Sequence, residues 1–323
     1  LDHIGSGKSW DMSRKNGGLR MLPPFGLPEY HRGEYAGTME ALNAVASYIE
    51  DLPQKHIILL QGNICANIDL AEAIRFHEAN HADMTAICAP GVKNGKHHYY
   101  SLGEDGFVNH IHFYRDPGCD GFPSMEGYIV HKDTLLELMK NCQTDRLYRF
   151  HRDAIPLFLE KGGKMNVYLH ESYTSTIRTV DDYYNANMDM LSPASGLNLL
   201  DKDWPIYGRT PSCPPAFVGE KSDVGNSAIA KGCVIEGEVK NSVLSVNVTV
   251  KEGAQVAYSV LMPGAVVEEG AVVQYAILGE NSRVCKNAVV GGAFGPKDKK
   301  KISVTSKGAV IPENTVLLPG EML

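Results

Sequence analysis

The chain has 323 residues, more than one average domain, so we expect two domains. Its 43% hydrophobic content is ordinary for a globular protein, and its net charge of −7 leaves no basic surplus for binding nucleic acid. The sequence has no apolar run of the roughly 18 residues that cross a membrane, and its first residues contain no apolar segment of the signal-peptide type. Its seven cysteines include no C-x-x-C pair, which argues against a disulfide framework and favours a cytoplasmic location.

The first part of the chain alternates between helical and strand patterns. Apolar residues at helical spacing predict a helix over Thr38–Glu50, and the unbroken apolar run His56–Leu60 predicts a strand buried on both faces. Strands that alternate with helices are typical of an open, mostly parallel α/β sheet. The other predicted strands are Met84–Ala89, Phe107–Phe113, Tyr128–His131 and Val167–Leu169, and the other predicted helices are Asp69–Asn80, Thr134–Lys140, Asp153–Lys161 and Val180–Leu191.

The last part of the chain carries a regular repeat, in which Lys251–Ala254 recurs as Glu268–Ala271 and, after an equal interval, as Cys285–Ala288. Apolar residues recur at gaps of five or six, which is typical of a β-helix whose coils bury their interiors by stacking. We predict a first domain over 1–191, a proline-rich linker over 192–215 and a β-helix over 216–323. The apolar series is Cys233, Val239, Leu244, Val250, Val256, Leu261, Val267, Val273, Leu278, Val284 and Val290.

Two short motifs resemble those of catalytic sites, but we interpret neither of them as catalytic. Gly5–Ser9 resembles the end of a phosphate-binding P-loop, but Asp2 stands where the first glycine of that loop belongs. His77–His81 matches the H-E-x-x-H pattern of zinc hydrolases. Because a strand is predicted from Met84, we favour a helix C-terminus for this motif, where histidine suits the helix dipole.

Two groups of polar residues could bind ions or simply face solvent. His110 and His112 share one face of a predicted strand, an arrangement that is more often a surface feature than a metal site. Residues 297–301 read K-D-K-K-K, for which a solvated loop is favoured over an anion site.

Short motifs occur in a fixed order along the chain. With the C-terminal repeat, they resemble the sugar-nucleotide pyrophosphorylases, specifically the bacterial ADP-glucose pyrophosphorylases. The resemblance covers essentially the whole chain. It implies a Rossmann-like nucleotidyltransferase domain followed by a left-handed parallel β-helix of hexapeptide repeats. The motifs that carry it are Tyr35–Leu42, Leu60–Asn63, Ser124–Tyr128, Arg152–Pro156 and Thr176–Asn187.

This sequence departs from the family pattern at the positions that carry the chemistry. The family joins glucose 1-phosphate to ATP, using two aspartates that hold Mg²⁺ and a lysine that contacts the sugar phosphate. Its L-x-G-D motif reads L-Q-G-N here and its D-V-G-T motif reads T-I-R-T, which places Asn63 and Thr176 at the two aspartates. Its E-K-P motif reads R-D-P, which places Asp116 at the lysine.

Because Mg²⁺ favours carboxylates, Asn63 and Thr176 would be weak ligands, and Asp116 would repel a phosphate. The resemblance therefore implies no intact catalytic site and no metal site, so the chain would need no cofactor and would bind Mg²⁺ and ATP weakly or not at all. The family's glycine-rich loop is also absent from these residues. Either the protein has lost it, or it belongs to a segment before Leu1, where the chain starts without Met.

Other family positions are retained and imply a ligand pocket. By the resemblance, Gly37 and Thr38 lie near the nucleotide, Gly62 and Asn63 lie at the strand end, and Ser124 lies near the sugar phosphate. We expect a weak nucleotide or sugar-phosphate ligand there.

The pattern is similar to the regulatory D-type subunit of bacterial glycogen synthesis. We expect a subunit that binds a catalytic ADP-glucose pyrophosphorylase chain in a hetero-oligomer, expected to be a tetramer, and modulates its activity. The alternative is an active nucleotidyltransferase whose metal is held by other carboxylates, such as Glu126 or Asp153. A hexapeptide acyltransferase is disfavoured, because residues 216–323 contain no histidine base.

Overall fold

The computed structural model describes residues 3–22, 35–90, 96–115, 120–199, 201–209, 211–293 and 301–323. The chain divides into two compact units. We call Met12–Thr176 the sheet unit, and Leu1–Asp11 together with Ile177–Leu323 the β-helix unit. The first domain was predicted to end at residue 191, whereas the sheet unit ends at Thr176. The helix Val180–Asp189 lies between these two boundaries. No helix among the described residues is long and apolar enough to cross a bilayer.

The sheet unit contains a six-stranded sheet, a two-stranded sheet, several short helices and a π-helical turn over Phe150–Ala154. Its strands are β1 (His56–Leu59), β2 (Ile64–Ala66), β3 (Met84–Cys88), β4 (His97–Leu102), β5 (Val108–Arg115), β6 (Phe122–His131), β7 (Met165–Leu169) and β8 (Thr174–Thr176). Its helices are α1 (Thr38–Asn43), α2 (Ala46–Glu50), α3 (Leu70–Ala79), α4 (Lys132–Asp145) and α5 (Ile155–Glu160).

The long strand β6 organises the sheet, whose order is β5-β4-β6-β3-β7 with β1 also paired to β6. Of the pairs among the described strands of this sheet, only β3–β7 is parallel. The α/β class is confirmed, but the sheet is mixed, whereas the sequence predicted a mostly parallel one. The difference arises because β6 runs antiparallel between β1 and β3. An apolar run indicates burial on both faces and carries no information about strand direction.

Both faces of the central strands are buried. Met84 and Val130 pack into one apolar cluster, whereas Ile87 and Ile129 of the same strands pack into another. Successive side chains of a strand point to opposite faces, so each cluster covers one side of the sheet. The strand that was predicted to be buried on both faces, His56–Leu60, is only half-buried: Ile57 and Leu59 pack against the first cluster and Ile58 against the second.

The helix α3 ends where the sequence indicated. Asp69 caps its start by accepting a hydrogen bond from the Glu72 N–H at 2.8 Å. The helix stops at Ala79, and His81 has a left-handed backbone, so the H-E-x-x-H pattern leaves the helix before its second histidine. Among the described residues, no group of three or more His, Cys, Asp or Glu side chains is placed to hold a metal ion.

The longer segment of the β-helix unit, Ile177–Leu323, starts with the helix α6 (Val180–Asp189). The sequence predicted this helix to belong to the first domain. The short strands that follow form three parallel sheets, one for each face of the coil. These strands are β9 (Phe217–Val218), β10 (Asp223–Gly225), β11 (Ala228–Ile229), β12 (Val234–Ile235), β13 (Glu238–Lys240), β14 (Val243–Leu244), β15 (Thr249–Val250), β16 (Gln255–Ala257), β17 (Val260–Leu261), β18 (Val266–Val267), β19 (Val272–Gln274), β20 (Ala276–Leu278), β21 (Arg283–Val284), β22 (Val289–Gly291), β23 (Ser303–Val304), β24 (Val310–Ile311) and β25 (Val316–Leu317).

The coils repeat as the sequence predicted. Strand β13 pairs with β16, β16 with β19 and β19 with β22, and each step advances the chain by one full sequence repeat. Every member of the predicted apolar series, from Cys233 to Val290, is at most 1% exposed. The hexapeptide β-helix is therefore confirmed. The step from β22 to β25 is longer, since Val289 pairs with Val316, yet the strands still run in parallel.

Serine hydroxyls link neighbouring coils at one corner. Ser242 Oγ accepts a hydrogen bond from the Ser259 N–H at 3.1 Å and donates to the Lys240 carbonyl at 2.7 Å. Ser259 Oγ repeats the first contact with the Ala276 N–H at 3.2 Å. Both serines are buried, so these bonds satisfy backbone groups that water does not reach.

The buried His77 gives the sheet unit a pH-dependent stability. Its Nδ1 lies 2.7 Å from Thr85 Oγ1, and burial lowers its pKa below the ordinary value of 6.5, with the charges of His56 and His131 adding to the effect. As the pH falls through about 6.5, His77 therefore takes up a proton in the unfolded chain but stays neutral in the folded one. The stabilisation is complete above that pH and is lost as the pH falls toward the lowered pKa, at up to about 1.4 kcal/mol per pH unit.

We therefore expect the wild-type sheet unit to lose more stability between pH 7.5 and pH 5 than the His77→Gln variant. Urea unfolding followed by hydrogen exchange of β3 and β6 measures this unit separately, since both tryptophans of the chain, Trp10 and Trp204, lie in the other unit. The exposed His110→Gln variant is the control. Parallel pH curves for wild type and His77→Gln would contradict the assignment.

Candidate functional site

The structure brings Asn63 and Thr176 together. Strands β2 and β8 pair in antiparallel register with Ile64 opposite Thr176, and Asn63 directly precedes Ile64. Thr176 is 7% exposed. Asn63 Oδ1 is buried and lacks a hydrogen-bond partner among the described residues. Two positions that are far apart in the sequence are thus neighbours at one edge of the sheet unit.

These two residues do not fit the Mg²⁺ that the resemblance implies. A hard dication favours carboxylate oxygens, and a buried site that lacks them supplies no charge to offset its dehydration. Asn63 offers one amide oxygen and Thr176 one hydroxyl, and both are neutral. Asp116, at the family's lysine position, lies outside the described residues, as do residues 297–300 of the K-D-K-K-K stretch.

Gly37 lies where a close approach of the backbone requires a glycine, and Thr38 is the first residue of α1. Gly37 precedes α1, and a Cβ atom added to it would lie 2.2 Å from the Tyr148 carbonyl oxygen. The same carbonyl accepts a hydrogen bond from the Met39 N–H at 2.9 Å. The start of α1 is therefore fixed against the segment that leads into the π-helical turn. A Cβ added to Gly62 would meet nothing within 4 Å, so this residue borders open space.

Ser124 belongs to a buried cluster of hydroxyl groups. Its side chain is 1% exposed, and its Oγ accepts a hydrogen bond from the Glu126 N–H at 2.9 Å. The hydroxyls of Tyr100 and Tyr128 lie 2.9 Å apart, and burial raises the pKa of each; a hydrogen bond with Ser124 partly offsets both shifts. Ser124 therefore holds the backbone of β6 in place beside Glu126.

Sequence reasoning missed a cluster at this edge that we call the edge cluster, formed by Gln61, Glu126 and His151. Gln61 Nε2 donates a hydrogen bond to Glu126 Oε2, and His151 Nδ1 lies 3.9 Å from the same oxygen. The Glu126 and His151 side chains are only 15% and 20% exposed. Burial lowers the pKa of His151, while the Glu126 charge opposes that shift. The His98 ring packs against His151 at a centroid distance of 4.4 Å.

The other carboxylate of the alternative hypothesis, Asp153, has a structural contact. Its Oδ2 accepts hydrogen bonds from the backbone N–H groups of Tyr148 and Arg149, at 3.2 and 3.0 Å. Asp153 therefore caps the π-helical turn. The signal that could have revealed the edge cluster is Glu126 itself, an acidic residue in an otherwise apolar strand sequence.

Comparison with known proteins is consistent with both units. Residues 214–311 match the family described as GlmU-like, C-terminal hexapeptide. A glucose-1-phosphate adenylyltransferase of Bacillus mycoides (strain KBAB4) is 33% identical over 263 residues, which is 79% of this chain and 69% of that protein. A protein of the same name from Acetivibrio thermocellus is 32% identical over 259 residues, which is 79% of this chain and 60% of that protein. The chain belongs to the glucose-1-phosphate adenylyltransferase family.

Proposed function

We propose that the chain is a regulatory subunit of glucose-1-phosphate adenylyltransferase in glycogen biosynthesis, with little or no activity of its own. It would bind and modulate a catalytic homologue that makes ADP-glucose from ATP and glucose 1-phosphate. The observation that carries this proposal is the juxtaposition of Asn63 and Thr176 at one edge, with neutral side chains where the family pattern has carboxylates.

The physical reason is electrostatic. Phosphoryl chemistry of this kind needs little covalent help from the protein and depends on charge stabilisation and alignment. Without carboxylates to hold Mg²⁺, several kcal/mol of transition-state stabilisation are lost, at roughly 1.4 kcal/mol for each tenfold in rate. A folded chain that has lost this transition-state stabilisation retains its contact surfaces and can still modulate a catalytic partner to which it binds.

We propose that the partner is a catalytic subunit in a cytoplasmic hetero-oligomer, and that the end coils of the β-helix take part in the contact. In the first coil, Phe217 and Val218 are 57% and 51% exposed. In the last coil, Val310 and Val316 are 55% and 59% exposed. Terminal strands present unpaired backbone groups and apolar side chains that a neighbouring surface can cover.

The test is ADP-glucose synthesis with Mg²⁺, comparing this chain alone, a catalytic homologue from the same organism alone, and the two mixed. We expect no turnover from this chain alone and a changed rate, or a changed response to effectors, in the mixture. A mixture that equals the catalytic subunit alone, together with no complex in analytical ultracentrifugation, would refute the regulatory role.

The second candidate is an active nucleotidyltransferase. It is favoured by one observation, the carboxylate of Glu126 close to the strand end that carries Gln61 and Asn63. That carboxylate already accepts a hydrogen bond and lies beside His151, which leaves it less available to a metal. Turnover by this chain alone that is abolished by chelation would support this candidate over the regulatory one.

A further inference from the structure

The backbone of Glu126 has an unusual conformation for its residue type. Its φ is +57°, in the left-handed region that is unfavourable for residues with a Cβ. The register of β3 against β6 shifts at this point, between Ile87 and Cys88. Such conformations persist only where surrounding contacts impose them, and they concentrate at functional positions. Here the strained residue presents a carboxylate to the edge cluster.

The surroundings of this carboxylate suit an anion. Gln61 donates to it, and His151 lies within 3.9 Å of it. Polar groups that converge on one partly buried anionic group are also a feature of sites that bind a phosphate monoester.

The two residues that follow Gln61 have groups that a ligand could contact. Gly62 borders an open region, and the buried Asn63 Oδ1 has no partner among the described residues. A sugar phosphate that entered here would bring its dianionic phosphate close to Glu126. Two negative groups a few ångströms apart in a partly buried site repel one another strongly.

We propose that Glu126 is a specificity-determining residue whose carboxylate takes the place of a phosphate group in the edge cluster and so excludes phosphate esters from the site. The proposal deepens the proposed function and rests on it for the choice of ligand class. The edge cluster is thus a phosphate-binding arrangement filled by the protein's own anion. Removing the charge of Glu126 leaves the polar groups of Gln61 and His151 in place for a phosphate.

Isothermal titration of the isolated chain with glucose 1-phosphate, and separately with glucose, tests this proposal. We expect Glu126→Gln, which keeps the side-chain size, to bind glucose 1-phosphate at least about tenfold more tightly than wild type, and glucose no more tightly. Glu126→Gly, which also relieves the left-handed strain, should give the same direction of change. The control is Glu137→Gln, which makes the same substitution at an exposed helical residue.

Three outcomes would overturn the proposal. One is unchanged binding of glucose 1-phosphate in folded Glu126 variants. Another is an equal gain for glucose, because that would mean that the substitution made room rather than removed charge. If the Glu126 variants do not fold, the wild-type chain decides, because binding glucose 1-phosphate more tightly than glucose would refute the proposal. No partner subunit is present in these titrations, so their result is independent of whether the chain modulates a catalytic subunit.

Discussion

Replacing both Asn63 and Thr176 by aspartate is expected to make the stability of the sheet unit depend on Mg²⁺. Thr176 is 7% exposed and its strand pairs with the residue after Asn63, so two carboxylates here would be desolvated and would repel each other. Without metal, we expect a loss of about 3–5 kcal/mol in the free energy of unfolding, typical of uncompensated buried charge. Mg²⁺ should restore about 2.7 kcal/mol at a hundredfold excess over its Kd.

Thermal unfolding with and without Mg²⁺ measures this effect without relying on activity. The controls are the single variants Asn63→Asp and Thr176→Asp, each of which supplies only one carboxylate and should respond less to Mg²⁺. The wild-type chain should show no shift specific to Mg²⁺ over Na⁺ at equal ionic strength. A double variant whose unfolding is insensitive to Mg²⁺ would contradict the view that these two positions face a common site.

Gly291→Ala is expected to destabilise the β-helix by about 3 kcal/mol or more, because two penalties coincide there. The residue has a φ of +74°, and an added Cβ would lie 1.9 Å from the Gln274 carbonyl oxygen of the preceding coil. Strands β19 and β22 would have to separate at this pair. We expect accelerated hydrogen exchange across β19, β22 and β25, with the sheet unit unaffected.

Gly308→Ala provides the internal control for this prediction. Its φ is +70°, almost the same, but an added Cβ would meet nothing within 4 Å. We expect a loss of only about 1–2 kcal/mol, the cost of the left-handed conformation alone. Equal losses at the two glycines in urea unfolding would show that the close approach of the coils is unimportant.

The β-helix was predictable from the sequence because its repeat combines two independent signals. The inward residues, such as Leu244 and Leu261, recur at fixed gaps, and each is at most 1% exposed. The corners require left-handed residues, which are usually glycine or asparagine. Tyr258 and Tyr275 are exceptions: both have positive φ, and their rings stack at 4.9 Å, a contact that compensates in part for the strain.

The sheet unit was predicted less completely because tertiary contacts override local pattern there. The predicted helix Thr38–Glu50 breaks between Asn43 and Ala46, although its apolar spacing continues through the break. Strand β4 was missed because its sequence, H-H-Y-Y-S-L, has no alternation of apolar and polar residues. Its buried histidines and tyrosines, such as His97 and Tyr100, are nonetheless at most 2% exposed.

The candidate site was also predicted only in part. The positions of Asn63 and Thr176 followed from the resemblance to a family, and strand pairing brings them together. The edge cluster followed from neither motif nor spacing, because Gln61, Glu126 and His151 come from three separate segments and their contact exists only in the folded sheet unit. The acidic Glu126 in the sequence of β6 marks the place, but a single sequence does not tell which residues contact it.

The coil that joins β22 to β25 has a consequence for protein engineering. It is longer than the preceding steps of the same sheet, because Val289 pairs with Val316 after it and with Val272 before it, yet both pairings are parallel. Each strand of this sheet therefore pairs with its counterpart in the next coil, although the number of residues between the two strands differs. We therefore expect an affinity tag or labelling peptide inserted after β22 to leave the parallel pairing of β22 with β25 intact, whereas the same insertion within one of the shorter coils would displace a stacked strand.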